Sequence, residues 1–338
     1  MNTFPRTRLF AEALEARCVP AAYTRLVLEP SVVVGGAGGT AWVTRGDTTQ
    51  ELRPFGAFAG AVNVATADVN GDGVNDVVAG AGAGGASRVV VLDGKSGAEL
   101  RSFLAFEPSF AGGVAVSTGD LNFDGYADVI AAVEGGGGAP HVKVFDGKTG
   151  AEVRSFFAFD PAYTGGVRAA ATDITGDFRD DIVTAPAGAG GPNVRVFDGT
   201  SGVLLRSFFA YADGYTGGVS VAAADVDSDG IGDIVTGSLS GVGHVKVFSG
   251  RSGAEEASFF AFGPDQTGGV RVAAGLFNAD LSADIAVSSG GSSRVLDGQT
   301  RAELADISLG GGSVGVGAAG VVSGIDPPLP VPNDPATA

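Results

Sequence analysis

The chain has 338 residues, 44% of them apolar and only 17% charged, with 57 glycines. That is enough apolar matter for one large all-β domain and too much for wholesale disorder. A formal net charge of −17 argues against nucleic acid or an anionic membrane as partner. A single cysteine, Cys18, excludes an internal disulfide, and no apolar run reaches the roughly 18 residues of a membrane span.

Residues 1–20 lack the apolar stretch of an ordinary signal peptide and read as a short amphipathic helix ended by Pro20. Leu14-Glu15-Ala16-Arg17-Cys18-Val19-Pro20-Ala21 resembles the LExLExR…PA leader found at the start of many bacterial surface or exported proteins. The resemblance implies a leader or targeting segment over 1–24 and a secreted or cell-surface location. Cys18 follows Arg17 where a lipoprotein site requires a small residue, so no lipidation is expected.

From Phe55 the chain repeats, with equivalent segments opening at Phe55, Leu104, Phe157, Phe209 and Phe260. The period is about fifty residues, the scale of a propeller blade. Each repeat holds four short runs rich in Val, Ala and Phe, separated by Gly-rich turns, which predicts four strands. A repeated four-stranded unit is the signature of a β-propeller. The Phe pairs Phe156-Phe157 and Phe208-Phe209 are expected to pack between blades. Residues 28–55 align with the last three strands of a repeat, and Ser308–Gly324 with the missing first strand. The expectation is an all-β propeller over 25–324 of six four-stranded blades, its ring closed by N- and C-terminal segments sharing one blade, followed by a Pro-rich tail at 325–338. Closure of this kind removes exposed sheet edges.

Between the first and second strands of the first repeat stands Asp68-Val69-Asn70-Gly71-Asp72-Gly73-Val74-Asn75-Asp76. It returns as Asp120 to Asp128, Asp173 to Asp181 and Asp225 to Asp233. Side-chain oxygens at positions one, three, five and nine suit a hard cation such as Ca2+, and Gly at position six permits the sharp turn. A polar Asx turn accounts for one such loop. It does not account for four at matching places, each crowding like charges together. The third loop departs from the pattern at Thr175 and Phe178. The fifth, Leu276 to Asp284, has lost its first ligand and its Gly and is expected to hold metal poorly or not at all.

The repeats look like the FG-GAP/VCBS type of integrin α-subunit propellers and of bacterial exported proteins. Phe55-Gly56 and Gly138-Ala139-Pro140 stand as the namesake elements, with the acidic loops between them. The resemblance covers about 28–324. It implies calcium ligands at Asp68, Asn70, Asp72 and Asp76, at Asp120, Asn122, Asp124 and Asp128, and at Asp225, Asp227, Asp229 and Asp233. A fourth set would be Asp173, Thr175, Asp177 and Asp181.

Other motifs point to structure. His141 and His244 share one repeat position in separate blades, and the run Gly80 to Gly85, which lacks the Lys-Ser/Thr of a phosphate loop, is expected to be the loop between the second and third strands. Asp93-Gly94, Asp146-Gly147, Asp198-Gly199 and Asp297-Gly298 read as hairpin turns. No catalytic constellation stands out. The sequence therefore predicts a monomeric, non-catalytic, calcium-stabilised binding or adhesion propeller for an extracellular protein or polysaccharide. The alternatives are a polysaccharide lyase or hydrolase on the same repeats, or an architectural surface-layer component.

Overall fold

The computed structural model describes residues 31–306, apart from positions 37, 46, 47, 279, 281 and 291. Its elements are all strands; among the described residues no helix is long and apolar enough to cross a membrane. The leader, Cys18, the tail and Ser308–Gly324 lie outside the described residues.

The first sheet has three strands: β1 (Ser31–Gly35), β2 (Ala41–Arg45) and β3 (Thr48–Leu52). Blade one follows with β4 (Val62–Ala67), β5 (Asp76–Ala81), β6 (Arg88–Leu92) and β7 (Glu99–Leu104). Blade two is β8 (Val114–Gly119), β9 (Asp128–Val133), β10 (His141–Phe145) and β11 (Glu152–Phe157). Blade three is β12 (Val167–Thr172), β13 (Asp181–Pro186), β14 (Asn193–Phe197) and β15 (Leu204–Phe209). Blade four is β16 (Val219–Ala224), β17 (Asp233–Ser238), β18 (His244–Phe248) and β19 (Glu255–Phe260). Blade five is β20 (Arg271–Gly275), β21 (Asp284–Ser289), β22 (Ser292–Leu296) and β23 (Glu303–Asp306). Each blade is an antiparallel meander with its strands hydrogen-bonded in chain order.

The burial pattern explains the composition of each strand. First strands pack on one another in succession, β4 on β8, β8 on β12, β12 on β16 and β16 on β20, and so lie innermost. Second strands are covered on both faces by neighbouring blades, and β5, β9, β13 and β17 are buried throughout. They therefore read as continuous apolar runs rather than alternating ones. Ile182, Ile234 and Ile285 directly follow the first Asp of their strands and Ile130 stands one residue further along its own, all four with no exposure. Truncating one to Ala would cost about 2–5 kcal/mol in lost burial and cavity formation. Fourth strands alternate exposed and half-buried residues, as an outer edge should.

Polar clips join the blades. Arg101 Nη2 donates to the Lys148 carbonyl at 2.8 Å, and Arg206 Nη1 to the Gly250 carbonyl at 2.8 Å. Arg154 donates likewise to the Thr200 carbonyl. Each reaches from the outer strand of one blade to the turn between the third and fourth strands of the next. The Phe pairs divide their labour more finely than expected. Phe156 packs on Phe197 and Phe208 on Phe248 across a blade boundary, with ring centroids 4.9 and 4.8 Å apart. Phe157 and Phe209 are exposed on the rim.

The expectation of six four-stranded blades is corrected: the described residues form five, with the three-stranded sheet beside them. In that sheet β1 packs on β4 as β5 packs on β8 and β17 on β20, and Val62 N–H donates to the Gly36 carbonyl at 2.9 Å. It therefore matches the second to fourth strands of a blade and lacks an innermost strand. The segment expected to supply that strand, Ser308–Gly324, is outside the described residues, so closure by the two termini is not part of the observed architecture. A smaller correction concerns Gly80, expected in a loop. It lies in β5, where a Cβ would press on the Val114 carbonyl and the Val116 side chain.

Candidate metal centre

The nine-residue acidic loops each join the first strand of a blade to the second, all at one end of the blades. Their fold is dictated by short side-chain acceptors capturing backbone donors. In the first loop the Asp68 carboxylate accepts from the N–H groups of Gly71, Asp72 and Gly73 at 2.7, 3.0 and 2.6 Å. Asn70 Oδ1 then accepts from Asp72 N–H and Asp72 Oδ1 from Val74 N–H. Asp120 and Asp225 hold their loops in the same way, through Asp124 and Gly125 and through Asp229 and Gly230.

The third loop, which departs from the pattern in sequence, closes identically: Asp173 accepts from Gly176, Asp177 and Phe178. Phe178 takes the left-handed conformation there, φ 66°, that Gly73 takes in the first loop, and its ring is 70% exposed. Its nearest aromatic neighbour is Phe123, also at positive φ, with centroids 6.0 Å apart.

The ninth-position acids differ from the rest in being buried. Asp76, Asp128, Asp181, Asp233 and Asp284 are each at most 2% exposed. Asp76 accepts from Val69 N–H at 3.0 Å with one oxygen and from Gly94 N–H at 2.8 Å with the other. Asp128 bonds Leu121 and Gly147 likewise, and Asp233 bonds Val226 and Gly250. One carboxylate thus ties the loop, the second strand and the turn between strands three and four. This sets the Gly of each DG turn more firmly than hairpin geometry does. A Cβ at Gly94, Gly147 or Gly199 would collide with the carbonyl of Asn75, Ala127 or Asp180.

Burial pushes the Asp76, Asp128 and Asp233 carboxyls up to about 6, and nearby carboxylates, Asp68 and Asp72 beside Asp76 among them, push the same way. Backbone N–H donors offset part of this. Among the described residues none of the ninth-position acids has an ion-pair partner. A buried anion among like charges is the environment that a divalent cation relieves.

Two arrangements bring the loop acids together. In the first loop the Asn70 amide donates to Asp76 at 3.3 Å and to Asp93 of the DG turn at 3.1 Å. Asn122 likewise reaches Asp146 at 3.3 Å. The fourth loop has Asp227 at that position and Ser249 at the turn, so no amide separates the acids. Asp225, Asp227 and Asp229 bring carboxylate oxygens within 4.8 Å of one another, and so do Asp227, Asp233 and Glu256. The fifth loop, expected to be weak, gathers Asp280, Asp284 and Asp297 within the same distance.

Position five carries a counter-charge in three loops. Lys95 pairs with Asp72 at 2.9 Å, Arg251 with Asp229 at 2.7 Å and Arg179 with Asp177 at 3.8 Å. In these loops that base must move for the position-five acid to serve a metal. The sixteen sequence-assigned residues lie in the four loops between first and second strands. Asp93, Asp146 and Asp297, each directly after a third strand, join them unassigned, and their one sequence signal was an acid at that fixed place; Glu256, in β19, joins them with no such signal. Calcium fits the donor set: hard oxygens, converging, with excess negative charge.

His141 and His244 occupy separate blades. Their Nε2 atoms lie 2.6 and 2.8 Å from Ser155 Oγ and Ser258 Oγ, beside Phe157 and Phe260.

Antiparallel four-stranded sheets packed innermost strand to innermost strand, each with an acidic loop at one end, define a β-propeller of repeated blades. Residues 68–131 match the model of the FG-GAP-like repeat, spanning the first loop to the second strand of blade two. The chain is thus a β-propeller that carries an FG-GAP-like repeat. A solved structure described as BBS1N in complex with ARL6DN, soaked with mercury, is similar at 11% identity and a TM-score of 0.50. The match covers 83% of this chain and 78% of that one, and at this identity it concerns the fold alone. No curated protein matches the chain.

Proposed function

We propose that the chain is a calcium-stabilised, non-catalytic binding propeller, secreted or held at the cell surface, that recognises an extracellular protein or polysaccharide. The observation that carries the calcium reading is the convergence of Asp225, Asp227 and Asp229 in a loop whose ninth acid, Asp233, is buried. Asp68, Asn70, Asp72 and Asp76, and Asp120, Asn122, Asp124 and Asp128, would serve two further sites. The third loop would serve a fourth, with Asp173, Asp177 and Asp181. The bound ion would neutralise the carboxylates and brace the loop against the next turn.

The binding role rests on the repeated, nearly uniform blades, and the location on the leader resemblance and on the millimolar calcium such loops need. Modules of this kind bind at about 10⁻⁴–10⁻³ M, so tenfold excess stabilises by roughly 1.4 kcal/mol per site. We further propose that Ser308–Gly324 adds the innermost strand to the β1–β3 sheet, giving a sixth blade and a closed ring. A glycan array run beside a reducing-end assay tests the function: binding without turnover supports it, and turnover of a bound polysaccharide contradicts it.

A further inference from the structure

The acidic loops occupy one end of the innermost strands; the other end carries the opposite charge. The second residues of β4, β8, β12 and β16 are Asn63, Ala115, Arg168 and Ser220, and the matching place in blade five, after Val270, is Arg271, the first residue of β20. These positions lie about 15 Å along the strand from the acidic loops, at the strand rise of 3.3 Å per residue. Glu134, directly after β9, meets this set. Its Oε1 receives Arg168 Nη2 at 3.2 Å and its Oε2 receives Asn63 Nδ2 at 2.9 Å. Asn63 Nδ2 also donates to the Val114 carbonyl at 2.8 Å.

Both carboxylate oxygens of Glu134 are thereby engaged, and Arg271 is left over. Its backbone pairs with Ser288 in the sheet, but among the described residues its side chain has no hydrogen bond and no ion pair. The positive charge of Arg168 acts on it and, to a smaller extent, the negative charge of Glu134. Burial first and Arg168 second hold the Arg271 guanidinium down to about 10. Arg168 Nε is a buried donor without a partner. Two guanidinium groups from blades three and five, served by one carboxylate from blade two, leave a net positive charge and unused donors beside the axis of a strongly acidic protein. A buried cation without a partner is costly, and the forked donors of Arg match an oxyanion with two hydrogen bonds at once.

We propose that Arg168 and Arg271 form a binding site for one oxyanion, a phosphate, sulfate or carboxylate group of a soluble ligand, at the ends of the innermost strands opposite the acidic loops. Glu134 and Asn63 position Arg168, and Arg271 supplies the free fork. The site stands independently of calcium.

The test is titration of the full chain with sodium phosphate, sulfate and citrate, each against sodium chloride at matched ionic strength, read by calorimetry and thermal melting. One or more of the oxyanions should bind saturably at one per chain and raise the melting temperature above the chloride control. Arg271→Gln should weaken that binding about tenfold or more, the worth of a charged hydrogen bond. Arg271→Lys, which keeps the charge but loses the fork, should weaken it less. Arg271→Lys is the variant to read if Arg271→Gln does not fold. Glu134→Gln should strengthen binding by removing the competing carboxylate. Indifference to all three oxyanions would overturn the assignment, as would a saturable effect unchanged in the Arg271 variants. Comparing the three anions then tells phosphate-like from carboxylate ligands.

Discussion

Replacing Asp227 by asparagine should change stability in opposite directions with and without calcium. Asp227 belongs to both carboxylate clusters of the fourth loop, with neighbours inside 4.8 Å. Two unit charges at that distance repel by about 0.9 kcal/mol in water, and screening at physiological salt leaves roughly half. One close neighbour from each cluster then makes about 1 kcal/mol of repulsion, which Asp227→Asn removes. The amide can also donate to Asp233, as the Asn70 amide donates to Asp76 at 3.3 Å. In EDTA the variant should therefore gain about 1 kcal/mol, seen as a rise of roughly 2–4 °C in the melt of a domain this size. In excess calcium it loses a ligand and with it up to roughly 1.4 kcal/mol of linkage, so the gain should vanish or reverse. Thermal melts of both proteins across a calcium series give the answer. A variant less stable than the parent in EDTA, or one whose advantage is independent of calcium, would refute the reasoning.

Arg206→Ala removes the clip to the Gly250 carbonyl and should lower stability in urea unfolding by about 1–3 kcal/mol, the scale of a lost charged hydrogen bond. Gly94→Ala drives a Cβ into the Asn75 carbonyl and should cost about 1–3 kcal/mol or more, measured in the same assay; a neutral result would mean that the turn does not seat under the loop. Phe178→Asn places a residue tolerant of left-handed backbone at φ 66° and should raise stability by roughly 0.5–1 kcal/mol, while a loss would show that the exposed ring has a contact of its own to make.

The blade unit was legible because its signals are local. Each second strand reads as an apolar run opened by Asp, and the first, second and fourth loops place Asp or Asn two residues apart. Those features survive in a single sequence and recur at a fixed period. What escaped depends on groups far apart in the chain. Asp93 bonds Asn70 and Gly94 bonds Asp76, so the DG turn belongs to the loop although it reads as a hairpin. Glu256 reaches Asp227 and Asp233 only because β19 and the fourth loop meet in space. Phe178 violates a local rule that the Asp173 carboxylate overrides by gathering three backbone donors. The fifth loop reads as decayed because Leu276 replaces its first acid, yet Asp297 from the turn restores a third carboxylate. Glu134 and Arg168 are 34 residues apart and look unremarkable in sequence; only the packing of innermost strands brings them together.

The most direct test of the calcium account is calorimetric titration of Ca2+ into the full chain after EDTA has been dialysed away, with melts recorded at each end. The account predicts saturable binding of at least three ions per chain near 10⁻⁴–10⁻³ M and a melt that rises with occupancy. No heat of binding, with the same melt in EDTA and in excess calcium, would contradict it and leave the loops as polar turns that hold the blades by themselves.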